Sequence, residues 1–123
     1  MKLSTIQKRN NLNEVHRDSS DEPGPGGAFH HYVIFHGLDK DRDETKTDIK
    51  FQKGPRNEAT SVGGVVEGDL LEIVRDRLAC FQKGEYATRE NAVALTHIEE
   101  ALLWMAKRAD DRAERGVLGT VQK

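Results

Sequence analysis

The chain has 123 residues, of which 33% are charged and only 36% are hydrophobic, so it fits one domain with a thin core of its own. Its net charge of −2 disfavours a general nucleic-acid-binding protein, which needs a basic surface, and its single cysteine, Cys80, excludes an internal disulfide and favours a reducing compartment. There is neither an apolar stretch long enough for a membrane span nor the apolar core of a secretory signal, so we expect a cytoplasmic protein without a membrane partner.

The N-terminal segment, residues 1 to 27, is poor in apolar residues and ends in DEPGPGG. Prolines and glycines oppose regular structure, which indicates an arm that is flexible when alone. The glycine-rich run superficially suggests a phosphate-binding loop, but neither the G-K-[ST] ending nor a following helix start is present. We therefore predict a flexible arm, followed by one ligand-binding domain from residue 28 to residue 123.

Two strands are predicted next. FHHYVIFH, from Phe29 to His36, is rich in aromatic and β-branched residues, and KTDIKFQ, from Lys46 to Gln52, alternates polar and apolar positions. The intervening GLDKDRDET suits a hairpin loop, so the simplest pairing is a two-stranded antiparallel β-ribbon within residues 28–53. An isolated ribbon is marginal in water, so one of its faces should pack on helices or on another subunit.

After the loop KGPRNEATSVGG, apolar residues recur at three- and four-residue steps and predict a helix from about 66 to 83. Gly84 suits the position just after this helix, and Thr88 can cap a second helix that ends just before Gly116. The short connection KGEYA predicts an antiparallel pair within residues 65–116. The predicted fold class is α+β, a β-ribbon followed by a long antiparallel helical hairpin, and the thin core favours an oligomer.

Catalytic and metal-binding chemistry has little support in the sequence. His30 and His31 are adjacent on a strand and should point to opposite faces, so they suit structural or ligand-stacking roles better than one metal site. Cys80 lies at no spacing that links it to a general base. No catalytic residue, metal or cofactor is therefore predicted.

Acidic residues on the two helices leave one enzymatic alternative, a metal-dependent nucleotide pyrophosphohydrolase of the all-helical kind. Such enzymes need E-x-x-E and E-x-x-D arrays that hold magnesium, and these arrays are missing from the two helices. Solvated helix faces explain the acids better. The residues concerned are Glu72, Asp76, Glu99 and Glu100.

Two clusters admit both a structural and a functional interpretation. Alternating four- and three-residue steps predict an apolar seam along the second helix, at Asn91, Leu95, Ile98, Leu102 and Met105. Arg108, Arg112 and Arg115 form a stripe at the rim of this seam; they would complement the helix dipole, or bind pyrophosphate or phosphodiester oxygens bidentately. Phe81 and Asn91 flank the hairpin tip. In the structural interpretation, Phe81 is a core residue and Asn91 helps to cap the helix. In the functional interpretation, Phe81 offers an aromatic face to a nucleobase and the Asn91 amide recognises the edge of that base.

Four segments together resemble the Thoeris anti-defence one family, and the similarity that they mark extends from Gly24 to Thr120, over about three quarters of the chain. The helical hairpin also resembles that of a second phage group, the anti-CBASS sponges. The segments are GPGGAFHHY (Gly24–Tyr32), FQKGPRNE (Phe51–Glu58), RLACFQKGEYATRENAVALTHIEEALLWM (Arg77–Met105) and RADDRAERGVLGT (Arg108–Thr120).

The resemblance implies a non-enzymatic phage protein of the bacterial host cytoplasm. It would sequester the cyclic ADP-ribose isomers that activate Thoeris immunity, and would also bind cyclic di- and trinucleotides of CBASS at separate sites. Carried over by motif, Phe81, Asn91, Arg108 and Arg112 would bind cyclic ADP-ribose, and Arg56 would belong to the oligonucleotide site. A hexamer is implied as well. The alternative from another functional class is a protein that acts through protein contacts and binds no small ligand.

Helix length places a geometric condition on that pocket. Asn91 and Arg108 are seventeen positions apart on one predicted helix, so about 26 Å separates them along its axis. Phe81 precedes the same tip as Asn91, and no small cyclic nucleotide spans this distance. A second hairpin packed antiparallel would bring its arginines to the first tip, and a two-fold axis would then create two equal pockets. We predict at least a dimer.

Overall fold

A computed structural model describes residues 1–7, 13–37 and 45–120. The chain divides into two compact units, Met1–Val65 and Val66–Lys123. The first contains a sheet and the second a pair of packed helices, which confirms the predicted α+β class. The elements are strands β1 (Glu14–Arg17), β2 (His31–Phe35) and β3 (Lys46–Lys50), a short 3-10 turn (Pro25–Gly27) between β1 and β2, and helices α1 (Glu67–Gln82) and α2 (Arg89–Glu114).

The sheet has three antiparallel strands in the order β1-β2-β3. Strand β2 is central because its aromatic and β-branched residues suit a strand that is paired on both sides. Its Val33 lies opposite His16 on β1 and Asp48 on β3. Val33, at 8% exposure, is also the one buried hydrophobic residue in the described part of the chain, so the hydrophobic core of a single chain is as thin as the composition indicates.

The third strand corrects the predicted two-stranded ribbon. Strand β1 comes from the segment predicted to be an arm, and residues 1 to 3 continue the pairing along its outer edge. Leu3 N–H donates to the Val15 carbonyl at 2.9 Å, and Arg17 N–H donates to the Met1 carbonyl at 2.8 Å. The sequence EVHR alone has no clear strand pattern; β1 forms because the edge of β2 offers it hydrogen-bonding partners. Most of the predicted β2–β3 loop, residues 38–44, lies outside the described residues.

The loop that follows β3 folds back and pairs with the residues that come directly after that strand. Lys53 and Val62 form an antiparallel bridge, and Phe51 and Val65 form a parallel one. Gly64 is required where the two backbones meet, since an added Cβ would lie 2.5 Å from the carbonyl oxygen of Lys50 and 2.6 Å from the carbonyl carbon of Phe51. The predicted loop is therefore held at both ends.

The helical hairpin agrees closely with the sequence prediction. Helix α1 is one residue shorter at each end than predicted, and α2 begins after Thr88, whose hydroxyl accepts a hydrogen bond from Asn91 N–H at 3.0 Å. The connection is fixed by Gln82, whose side-chain amide both donates to the Thr88 carbonyl and accepts from the Thr88 N–H, each at 3.1 Å.

The two helices end differently. Gly116 follows α2 in the left-handed region, with φ of 71°, and the N–H groups of Gly116 and Val117 donate to the carbonyls of Ala113 and Arg112. This is a Schellman motif, and it ends the helix just before Gly116 as predicted. Gly84 follows α1 at the predicted position but without a left-handed conformation, because a tight turn with Gly84 N–H donating to the Phe81 carbonyl ends that helix instead.

Much of the apolar surface of the hairpin is uncovered. Leu103 and Tyr86 are each 72% exposed and Trp104 is 62% exposed, while the predicted seam residues Leu95 and Ile98 are only half-buried. Large exposed apolar surfaces mark interaction sites. None of the helices described is both long and apolar enough to cross a membrane.

Candidate functional site

The residues predicted to form the cyclic ADP-ribose pocket lie in two places on the helical hairpin. Helix α2 runs without interruption from Arg89 to Glu114, so Asn91 lies in its first turn and Arg108 lies seventeen residues further on. At 1.5 Å per residue these two positions are about 26 Å apart along the axis. The hairpin therefore keeps its two groups of candidate residues at opposite ends.

The first group is the tip cluster, which we define as Phe81, Tyr86 and Asn91. The rings of Phe81 and Tyr86 meet edge to face with centroids 6.3 Å apart, and Asn91 Nδ2 approaches the Tyr86 carbonyl at 3.5 Å. The Arg77 guanidinium carbon lies 5.6 Å from the Phe81 ring centroid. An aromatic face, an amide and a cation thus occur together, which suits a flat, electron-rich ring such as a nucleobase.

Two members of this neighbourhood were missed by sequence reasoning. Tyr86 is 72% exposed, and its place as an aromatic residue in the short polar connection KGEYA is a signal that the sequence offered. Arg77 lies four residues before Phe81 on α1, so helical spacing places it beside the ring and could have indicated the contact. Phe81 itself is 37% exposed, so it is not a buried core residue within one chain.

The second group lines an open groove of about 270 Å³, the arginine groove. Arginine and lysine predominate, and the one carboxylate, on Asp111, accepts a hydrogen bond from Lys107 Nζ at 3.0 Å. Four cations and one anion make the groove suitable for phosphate groups. The lining residues are Trp104, Lys107, Arg108, Asp111, Arg112 and Arg115.

The two predicted arginines differ in their surroundings. Arg108 is exposed, whereas Arg112 is only 7% exposed and is the one buried charged residue in the described part of the chain. Arg112 Nη2 donates to the carbonyls of Val117 and Thr120 at 2.9 and 3.0 Å. Sequence reasoning missed these partners, because the segment after Gly116 carries no charge pattern that relates it to an arginine.

Arg56, predicted for the oligonucleotide site, lies in the first unit. It is exposed in the loop that the Lys53–Val62 bridge closes. The loop is tightened by Gly54, which has φ of 89°, and by Gln52 Nε2, which donates to the Gly54 carbonyl at 3.0 Å. Arg56 is therefore presented by an ordered turn.

His31 and His30 contact neighbouring residues of the sheet unit, which suits structural roles. The two ring nitrogens of His31 each contact a carboxylate at 2.7 Å, Asp18 through Nδ1 and Asp48 through Nε2. Hydrogen bonding to Asp48 is the largest cause that raises the pKa of His31, and the same bond lowers the pKa of Asp48. The ring of His30 instead packs against Gly24. Among residues 1–7, 13–37 and 45–120, no group of three or more side chains is arranged to hold a metal ion.

Two of the four acids of the pyrophosphohydrolase alternative, Glu72 and Glu99, contact an arginine. Arg75 donates through Nε to Glu99 at 2.9 Å, and its Nη1 lies 3.5 Å from Glu72. These contacts join α1 to α2 on an exposed face of the hairpin. They favour the interpretation of these carboxylates as solvated ion pairs.

A hairpin of two packed helices, with an aromatic pair at one end and an arginine-lined groove at the other, defines the class of this protein. The family model described as Acb2/Tad1, hairpin domain, matches residues 43–110, more than half of the chain, and the chain belongs to that family. The resemblance inferred from the sequence is thus confirmed.

Within the family, the chain is similar to the protein named Thoeris anti-defense 1 of Bacillus phage SBSphiJ7. The two are 47% identical over 75 residues, which are 61% of this chain and 52% of that protein. The chain thus spans about half the length of this relative.

Proposed function

We propose that the protein is a phage anti-defence sponge. It binds cyclic ADP-ribose-type signals of Thoeris immunity in the host cytoplasm and withholds them from their effector without cleaving them. The name of the phage relative supports the anti-Thoeris role. The chemistry of the two hairpin ends supports the ligand class, because cyclic ADP-ribose offers a base for the tip cluster and a pyrophosphate for the arginine groove.

The observation that carries this proposal is the separation of the two groups along one uninterrupted helix. Asn91 and Arg108 are too far apart for a small cyclic nucleotide, and the arginine groove alone, at about 270 Å³, is smaller than the roughly 300–1,000 Å³ of typical ligand pockets. We therefore propose that each pocket combines the tip cluster of one chain with the arginine groove of a second chain packed antiparallel. A two-fold axis then gives two pockets per pair.

The uncovered apolar residues give the two chains a reason to associate. Leu103 and Trp104 are exposed near the arginine groove, and Val93 is 42% exposed near the tip cluster. A partner hairpin would bury such side chains and would gain about 25 cal/mol for each Å² of apolar surface removed from water. Pairs of hairpins would assemble further into the hexamer that we propose for the active protein.

We also propose a second kind of site. The ordered loop that presents Arg56 would bind the cyclic di- and trinucleotides of CBASS, because an exposed guanidinium on a fixed turn can form a bidentate contact with a phosphodiester. This site is separate from the cyclic ADP-ribose pocket, so its occupancy would not compete with that ligand.

The direct test mixes the purified protein with a panel of cyclic ADP-ribose isomers and cyclic oligonucleotides, removes unbound ligand, and heat-denatures the complex. Intact ligand in the supernatant, in fixed proportion to the protein, is the expected result. Products that accumulate with time and depend on a divalent metal would indicate a hydrolase instead. Absence of any ligand would favour a protein that acts only through protein contacts.

A matched pair of variants tests the separation of the two sites. Arg56→Ala should abolish the binding of cyclic oligonucleotides and retain that of cyclic ADP-ribose, and Arg108→Ala should do the reverse. Both arginines are exposed, so neither change should unfold the chain. Equal loss of both ligands in either variant would refute separate sites.

A further inference from the structure

Helix α2 is followed by two consecutive turns that end at Thr120. The first is the Schellman motif at Gly116. The second spans Val117 to Thr120, with Thr120 N–H donating to the Val117 carbonyl at 3.1 Å and Gly119 in the left-handed region with φ of 81°. A positive φ at the third position of a four-residue turn defines a type II turn. We call residues 116–120 the C-terminal turn segment.

The C-terminal turn segment holds the Arg112 side chain. Both N–H bonds of Nη2 are directed at its carbonyls, those of Val117 and Thr120. The Val117 carbonyl also accepts from the Thr120 hydroxyl at 2.6 Å, which ties the two acceptors together. Since Arg112 is 7% exposed and also lines the arginine groove, the segment supports the guanidinium where the groove begins.

These side-chain bonds are not needed to end the helix. The helix is already ended by the backbone N–H groups of Gly116 and Val117, which satisfy the carbonyls of Ala113 and Arg112. The bonds from Arg112 instead reach two carbonyls beyond the helix. Their consequence is therefore a fixed position of the guanidinium.

We propose that the C-terminal turn segment positions Arg112 for ligand binding, with Gly119 and Thr120 as positioning residues. This inference rests on the proposed function, in which Arg112 contacts the pyrophosphate of the ligand. An arginine that is ordered before the ligand arrives loses less side-chain entropy on binding than one that is free to rotate. The arginine groove would thus combine an exposed cation, Arg108, with a preorganised one.

Gly119 allows a test that separates conformation from added bulk. Nothing lies within 4 Å of a Cβ added at this position, so a substitution there creates no clash. Asparagine tolerates the left-handed region, whereas valine, being β-branched, strongly disfavours it. Gly119→Asn and Gly119→Val therefore form a matched pair, in which the second distorts the turn and the first preserves it.

The experiment measures two properties of each variant in the full-length chain. The first is the hydrogen exchange and rotation of the Arg112 guanidinium, followed by NMR without ligand; the second is the affinity for cyclic ADP-ribose, by calorimetry. We expect slow exchange and unchanged affinity in Gly119→Asn. In Gly119→Val we expect fast exchange and binding that is weaker by about three- to tenfold, the cost of ordering one long side chain. The hairpin itself should remain folded in both variants.

Equal affinities in the two variants, or a slowly exchanging Arg112 in Gly119→Val, would overturn the inference. Failure of the unaltered protein to bind cyclic ADP-ribose contradicts the proposed function instead. In that case inorganic pyrophosphate becomes the probe of the arginine groove. Weaker binding of pyrophosphate by Gly119→Val than by Gly119→Asn would still support the positioning role, and equal or undetectable binding would reject it.

Discussion

The sheet unit and the helical hairpin are stabilised in different ways. In the hairpin, each helix is defined by neighbours in sequence: the Thr88 cap, the Gly116 motif and apolar steps of three and four. In the sheet unit, the decisive contacts join residues far apart in the chain, such as His31 with Asp18 and Asp48. The two units therefore contribute differently: the locally encoded hairpin sets the distance between the two groups of proposed binding residues, and the sheet unit presents an ordered loop.

The largest effect is expected in the sheet unit, at Gly64. An alanine Cβ there would meet backbone atoms of Lys50, Phe51 and Gln52 at 2.5 to 2.7 Å, and a backbone cannot move aside as a side chain can. We expect Gly64→Ala to lower the free energy of unfolding by about 3 kcal/mol, the upper end for overpacked sites.

The readouts for Gly64→Ala should differ between the two units. Amide hydrogen exchange of Gln52 and Val65, which bond across the loop, should become fast. The fluorescence of Trp104, the single tryptophan, reports on the hairpin and should change little. Gly63→Ala is the control, since nothing lies within 4 Å of a Cβ added there. Equal behaviour of the two variants would show that the close approach at Gly64 is unimportant.

The same contrast between local and long-range contacts explains which elements could be predicted from the sequence. The hairpin was predicted to within one residue at most helix ends, because caps and periodicity are local signals. Strand β1 was missed, because EVHR becomes a strand only through the edge of β2. The partners of Arg112 were also missed, because a hydrogen bond to a backbone carbonyl leaves no trace in the identity of the residue that supplies it.

The next effect concerns ligand binding at the tip cluster. Phe81→Ala should weaken cyclic ADP-ribose binding by roughly 1–3 kcal/mol, the value of one stacked base, and should leave the melting temperature nearly unchanged because the ring is partly exposed. Calorimetry and thermal unfolding measure the two quantities. Leu95→Ala, on the half-buried seam, is a control that should destabilise the fold more than it affects the ligand. Unchanged binding with a large loss of stability would make Phe81 a core residue.

A smaller effect is expected from pH in the sheet unit. Hydrogen bonds to Asp48 and Asp18 raise the pKa of His31 above its ordinary value, so the imidazolium stabilises the sheet fully below about pH 6.5, and this contribution is lost as the pH rises through the raised pKa. The pKa of Asp48 is lowered, chiefly by His31 and further by Lys46 and Lys50, so its contribution is lost only in strong acid.

The melting temperature should therefore fall as the pH rises above about 6.5, and the fall should be smaller in His31→Gln. His97→Gln is the matched control, because His97 is exposed on α2 and lies 4.0 Å from its nearest carboxylate, on Glu100. An equal pH dependence in the unaltered protein and in His31→Gln would show that the His31 contacts do not stabilise the sheet.

The smallest effect is expected for the ion pair that joins the two helices. Arg75 and Glu99 are about half-exposed, so solvent screens their attraction although the donor–acceptor distance is 2.9 Å. A double-mutant cycle with Arg75→Ala and Glu99→Ala should give a coupling energy below about 1 kcal/mol. A larger value would mean that solvent does not screen this pair as its exposure implies.

The central claim is that the hairpin separates two half-sites which only a second chain can unite. The direct test refolds a Phe81→Ala, Asn91→Ala protein together with an Arg108→Ala, Arg112→Ala protein. Neither parent should bind cyclic ADP-ribose, and the mixed assemblies should regain binding in the pockets that combine an intact tip cluster with an intact arginine groove. A single chain that binds the ligand as a monomer, or verified mixed assemblies that recover no binding, would contradict the claim.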